Sequence, residues 1–252
     1  LKLFYRKFGD GKPLLILHGL FGASDNWVTI GKRLAEKYEV IIPDLRNHGQ
    51  SPHSDEWQYD AMAEDVFDLT ARLGLKKISL IGHSMGGKVG MTLASKYPEL
   101  LEKLVVVDIA PRKYPVQHRN ILDGLLSIDL QSVSSRKEAE DQLSKYVPEP
   151  GVRQFLLKNL DRSSDRGFKW KLNLKVINDH IEGIGTATIP DQEVKIPAMF
   201  VRGINSHYVS DEDILEIRNY FSASVIESIG NAGHWVHAEQ PEAFIRTVMD
   251  FL

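Results

Sequence analysis

Short, continuous apolar runs recur along the first half of the chain, and a helical pattern follows most of them. Leu14–Leu17, Val40–Ile42, Ile78–Ile81 and Leu104–Val107 are four such runs. None alternates apolar with polar, so each predicts a strand buried on both faces of a sheet. Between them, Trp27–Lys37 and Lys88–Tyr97 have helical spacing. Tyr59–Leu73 repeats apolar positions at Met62, Val66, Leu69 and Leu73. Leu1–Tyr5 reads as a further strand. Alternating strands and helices predict an α/β fold with a mostly parallel central sheet and helices on both faces.

The rhythm breaks after Pro111. Helical stretches are expected at His118–Leu126, Arg136–Val147, Val152–Asn159 and Lys175–Gly183, with no strand before Pro190. Strand character returns at Ala198–Val201 and Ser224–Ser228, and helices are expected at Glu212–Phe221 and Pro241–Leu252. An excursion of about 80 residues is too long for one crossover. The expected organisation is a core of residues 1–111 and 191–252, interrupted by a helical cap over residues 112–190.

Composition narrows the function classes. Of 252 residues, 42% are hydrophobic and 26% charged, which is enough apolar material for a sizeable core. Lys and Arg total 31 against 34 Asp and Glu, a net charge of -3. That balance offers no electrostatic basis for binding nucleic acid or an anionic membrane. No apolar run approaches the roughly 20 residues that cross a bilayer, so no stable membrane insertion is expected. There is no cysteine, which excludes disulfides and thiolate metal sites. The N-terminus reads as a strand and not as a signal peptide, and a cytoplasmic location is the expectation. The sequence does not begin with Met, so residues are expected to have been trimmed or left out before Leu1. A monomer or small homo-oligomer is expected.

Candidate chemistry concentrates at Gly82-His83-Ser84-Met85-Gly86-Gly87. This G-x-S-x-G pattern lies between a strand signal and a helix signal. A serine there sits on a tight turn that holds its side chain exposed. Gly82 and Gly86 are needed because strand and helix backbones approach too closely for side chains. Serine alone is a poor nucleophile and needs a general base. His234, in Gly230-Asn231-Ala232-Gly233-His234-Trp235, is the best candidate. It follows the last strand, at the end of a parallel sheet where ligands bind.

Four motifs in order resemble the α/β-hydrolase superfamily over nearly the whole chain. They are His18-Gly19-Leu20-Phe21-Gly22, Asp44 to Ser51, the Ser84 turn and the late Gly233-His234. Arg46-Asn47-His48-Gly49 and Val107 to Pro111 resemble one subgroup more closely, the YbfF-type esterases related to the ABHD11-like hydrolases. Phe168 to Asn173 and Asn205 to Val209 are similar to that subgroup too.

The resemblance implies a triad whose acid commonly follows the penultimate strand. Here that turn reads Gly203-Ile204-Asn205-Ser206, and serine cannot stabilise an imidazolium by charge. Asp108, directly after Val105-Val106-Val107, occupies a second known location and fits the order nucleophile, acid, base. Asp211 and Asp213 are alternatives in a run that reads as a helix cap. Asp44 precedes the serine and reads as the organiser of the Arg46 loop. The oxyanion donors implied are the backbone N–H groups of Leu20 and Met85. His18, His48 and His83 are expected to be structural. His83 and His234 lack companions for a zinc site, and no metal or other cofactor is expected.

The implied reaction is acyl transfer to water from a small-molecule ester or acyl thioester, through Ser84, His234 and Asp108. The cap would roof Ser84. Phe21, Tyr114, Trp170, Tyr208 and Trp235 are candidate lining residues, and Arg119 and Tyr208 are candidate polar contacts. Asn26 reads as the cap of the next helix. A carbon–carbon bond hydrolase, a lactonase, a perhydrolase and a ligand receptor on the same fold are the rival readings.

Overall fold

The computed structural model describes residues 1–116, 118–163 and 167–252. The first strand, β1 (Tyr5–Phe8), leads into β2 (Lys12–Leu17). A 3-10 turn at Ser24–Trp27 opens α1 (Val28–Leu34), followed by β3 (Tyr38–Pro43) and α2 (Tyr59–Arg72). Then come β4 (Ile78–His83), α3 (Met85–Lys96) and β5 (Leu101–Val107). Beyond β5 lie α4 (Arg119–Ser127), α5 (Arg136–Leu143), α6 (Pro150–Leu157), β6 (Leu160–Ser163), β7 (Gly167–Trp170), α7 (Leu174–Asp179) and α8 (Ile181–Ile184). The chain finishes with β8 (Ala198–Gly203), α9 (Asp211–Tyr220), β9 (Ser224–Ile229), α10 (Val236–Glu239) and α11 (Pro241–Phe251).

Seven strands form the main sheet in the order β1-β3-β2-β4-β5-β8-β9. All pair in parallel except β1, which runs antiparallel to β3 at one edge. The buried centre explains the unbroken apolar runs: Leu14 to Leu17, Leu80, Ile81 and Leu104 to Val107 are all fully buried. One face packs Trp27, Ile30 and Leu34 near α1 with Phe244 and Val248 of α11. The other packs Met62, Val66 and Leu69 of α2, Val89 and Leu93 of α3, and Ile217 of α9.

Two expectations need correcting. The first strand is Tyr5–Phe8 and not Leu1–Tyr5. Leu3 is buried, but as a packing residue ahead of the strand. The segment after Pro111 is also not wholly helical, because β6 and β7 pair as an antiparallel ribbon. Each has four residues with mixed polarity, too short for a period-2 pattern to stand out. Among the described residues, the segment 112–190 nonetheless adds no strand to the seven-stranded sheet.

The turn from β4 into α3 is tightly packed. A Cβ built on Gly82 would lie 2.3 Å from the Gly86 carbonyl oxygen, and one on Gly86 would lie 2.4 Å from that of Leu17. Strand, helix and neighbouring strand thus meet backbone to backbone. Gly86→Ala is expected to destabilise the fold by about 2–3 kcal/mol, since rigid backbone must move. Calorimetry should show Tm lowered by roughly 5–10 °C; an unchanged Tm would contradict the close approach.

Candidate active site

Each candidate residue follows the C-terminal end of a strand. His18 follows β2, Asp44 follows β3, Ser84 follows β4, Asp108 follows β5, Ser206 lies just beyond β8 and His234 lies beyond β9. The parallel register aligns these ends: His83 sits opposite Val107, and Val107 opposite Val201. Residues distant in sequence therefore converge on one rim of the sheet.

Ser84 has φ 51° and ψ −115°, a conformation that non-glycine residues avoid. Its N–H donates to the Val107 carbonyl at 3.0 Å, and its carbonyl accepts from Lys88 N–H at 3.1 Å. These bonds fix the turn from both sides. Asp108 also has a positive φ, 52°, and its N–H donates to Val201 at 2.8 Å.

Asp108 is fully buried. His234 Nδ1 lies 2.8 Å from its Oδ2, and Gly203 N–H donates to its Oδ1 at 3.1 Å. Ser206, at the commoner acid position, donates its hydroxyl to Oδ2 as well. The structure thus brings Asp108 to His234, whereas the alternative acids lie elsewhere. Asp213 closes a capping box with Ser210 and pairs with Arg112 at 2.6 Å. Asp211 pairs with Arg202 at 2.7 Å. Asp44 accepts from Ser24 N–H at 2.6 Å and Gln50 N–H at 2.8 Å, which organises the neighbouring loops.

The Leu20 loop presses against the serine turn: a Cβ on Gly19 would lie 2.8 Å from His83 Nδ1 and 3.4 Å from Ser84 Cβ. Phe21 N–H is taken by His48 Nε2 at 3.3 Å. The N–H groups of Leu20 and of Met85 engage no acceptor among the described residues. Met85 opens α3, where N–H groups have no intrahelical partner. Two backbone donors thus stand free beside Ser84.

Neutral histidines build the scaffold. His18 Nε2 accepts from Leu45 N–H at 2.9 Å while its Nδ1 lies 2.8 Å from the Gly19 carbonyl. His48 Nδ1 donates to the Arg46 carbonyl at 2.9 Å. His83 Nε2 donates to the His234 carbonyl at 2.8 Å. Each ring is locked as one tautomer by backbone partners. Burial pushes the pKa of His18 down, that of His83 well down and that of His48 down to about 3.

Ser84 and His234 line one cavity of about 240 Å³, together with Leu20, Phe21, Tyr208 and Trp235. No hydrogen bond joins the Ser84 hydroxyl to His234 among the described residues, as is common in unliganded sites. The Tyr208 ring stacks on His234, with centroids 3.9 Å apart. Tyr114 lines the adjoining slot beside Met85 and Lys88. Asn26 lines the main cavity, and its Oδ1 accepts from Ala23 N–H at 2.8 Å, capping the 3-10 turn.

Two predicted contacts reach neither this cavity nor the adjoining slot. Arg119 lies on the exposed side of α4 and donates to Asn178 at 2.8 Å. Trp170 is half-buried against the core and pairs with Leu160 across the β6–β7 ribbon. In their place the inserted segment contributes His118, Ile121, Val152 and Phe155, and α10 contributes His237. Val152 and Phe155 share a helix face at i and i+3, a signal that was legible. His237 stacks on Trp27 with centroids 3.9 Å apart, a contact with no sequence signature.

A strained serine turn on a parallel sheet, with a histidine–carboxylate pair on the same rim, defines the α/β-hydrolase class. The chain belongs to this family: the model for the alpha/beta hydrolase fold matches residues 12–241. It is similar to the sn-1-specific diacylglycerol lipase ABHD11 of Danio rerio, 41% identical over 97% of this chain and 79% of that protein. It is also similar to esterase YbfF of Escherichia coli, 35% identical over 96% of this chain and 94% of that protein. A solved marine microorganism esterase superposes with a TM-score of 0.98 at 42% identity, covering all of both chains.

The buried histidines make stability depend on pH. Burial lowers His48 and His237 to about 3 and His118 to about 4, against about 6.5 in the unfolded chain. The unfolded chain therefore binds protons first. Stability is full above about pH 6.5 and is lost as pH falls toward about 3, by on the order of 1 kcal/mol per pH unit for each of His48 and His237. Tm is expected to fall between pH 6.5 and 5, before most free carboxylates titrate. A flat Tm across that interval would contradict neutral, buried imidazoles.

Proposed function

We propose that the protein hydrolyses carboxylic esters or acyl thioesters through an acyl-enzyme on Ser84. His234 takes the serine proton, and Asp108 holds its Nδ1–H and offsets the charge on the ring. The Leu20 and Met85 N–H groups receive the oxyanion. His234 then protonates the leaving alcohol or thiol and activates water for deacylation. Residues 112–190 act as a cap over the cavity, in which Phe21, Tyr208 and Trp235 contact the acyl or leaving group. The observation that carries this reading is the 2.8 Å contact of His234 with buried Asp108 on the rim that holds Ser84. Relatives named as an esterase and as a diacylglycerol lipase support an acyl-ester substrate.

Turnover of p-nitrophenyl esters and acyl-CoA across a chain-length series tests the chemistry and ranks oxygen esters against thioesters. Ser84→Ala is expected to lose at least about 10⁴-fold in kcat, and Asp108→Asn about 10³- to 10⁴-fold. Asp211→Asn and Asp213→Asn should lose far less. Near-native turnover by Asp108→Asn would sink the assignment of the acid.

A further inference from the structure

Lys88 lies one helical turn beyond Ser84 on α3 and is 1% exposed. A buried ammonium is costly unless it is well partnered. Among the described residues no carboxylate pairs with it. Its Nζ instead donates to the carbonyl of Arg112 at 2.9 Å and to that of Thr186. Arg112 lies on the arm by which the chain leaves the core for the cap, and Thr186 on the arm by which it returns. The arms also bond each other: Tyr114 N–H donates to Gly185 at 2.8 Å, and Thr188 N–H to Pro111 at 2.7 Å. The faces of Tyr59 and Tyr114 enclose the ammonium, at 5.7 and 5.2 Å from their centroids.

From this junction a continuous set of contacts leads to the imidazole. The Tyr114 hydroxyl accepts from Ala110 N–H at 2.8 Å and donates to the Tyr208 carbonyl at 2.5 Å. The Tyr208 ring stacks on His234. We propose that Lys88 is a positioning residue for His234: it clasps both arms of the cap to the helix that directly follows Ser84, and Tyr114 and Tyr208 transmit that constraint. Two carbonyls converging on one point need two donors there, and a methionine of similar length supplies none. Burial, then the nearby Arg112 charge, lowers the amine to about 7. A neutral amine keeps two N–H donors, so the clasp persists in either protonation state.

The inference rests on the triad proposed above, and one set of kinetics separates the two. With p-nitrophenyl acetate, Lys88→Met is expected to lower kcat about ten- to a hundred-fold, with KM nearly unchanged. Lys88→Ala should behave alike and recover partly on addition of propylammonium, which refills the space and the donors, but not of 1-propanol. Native kcat in Lys88→Met, or a raised KM at native kcat, would overturn the positioning role. Turnover surviving in Ser84→Ala would overturn the triad and the role of Lys88 with it. Should the Lys88 variants fail to fold, Tyr114→Phe removes only the relaying hydroxyl. It should lower kcat several-fold at constant KM, and native kcat there would overturn the relay.

Discussion

The Asp108 carboxylate sits in the interior with no lysine or arginine paired to it among the described residues. Such a charge is tolerable only if donors surround it. Three do: Gly203 N–H, the Ser206 hydroxyl and His234 Nδ1. They come from the last residue of β8, the loop after it and the loop after β9, so satisfying one buried charge draws these segments onto the end of β5. The positive φ of Asp108 aims the carboxylate at them. In the proposed mechanism the same compensation orients the imidazole, so folding and chemistry share one set of hydrogen bonds.

Around that carboxylate the site is built from groups held still by backbone. Ser84 keeps an unfavourable conformation because α3 and β5 grip it from both sides. His18, His48 and His83 stay neutral and bridge loop backbones. Their burial makes them rigid struts, and the loss of stability in acid is the consequence. The inserted segment is tied into this frame where Lys88 bonds the Arg112 and Thr186 carbonyls and is not merely packed upon it.

The core was largely legible in the sequence because strands buried on both faces leave unbroken apolar runs. The Ser84 turn was legible because steric crowding admits only glycine at Gly82 and Gly86. Asp108 could be singled out because Ser206 occupies the commoner acid position, and the geometry now adds that Ser206 donates to Asp108. The cavity walls were harder to read. Arg119 lies on an expected helix, yet which face of an inserted helix meets the core depends on tertiary packing, and Trp170 lies on a strand that no pattern marked. His237 and Lys88 carried no local signal: one is defined by stacking on Trp27, the other by carbonyls far away in sequence. The β6–β7 ribbon escaped because four-residue strands of mixed polarity look like loop.

The central claim is that Asp108, and not another carboxylate, holds the proton on His234 Nδ1. Proton NMR with ¹⁵N-histidine labelling tests it most directly. The account predicts a strongly downfield Nδ1–H resonance assigned to His234 that persists in Asp211→Asn and Asp213→Asn and vanishes in Asp108→Asn. A resonance that survived in Asp108→Asn, or that disappeared on loss of Asp211 or Asp213, would contradict it.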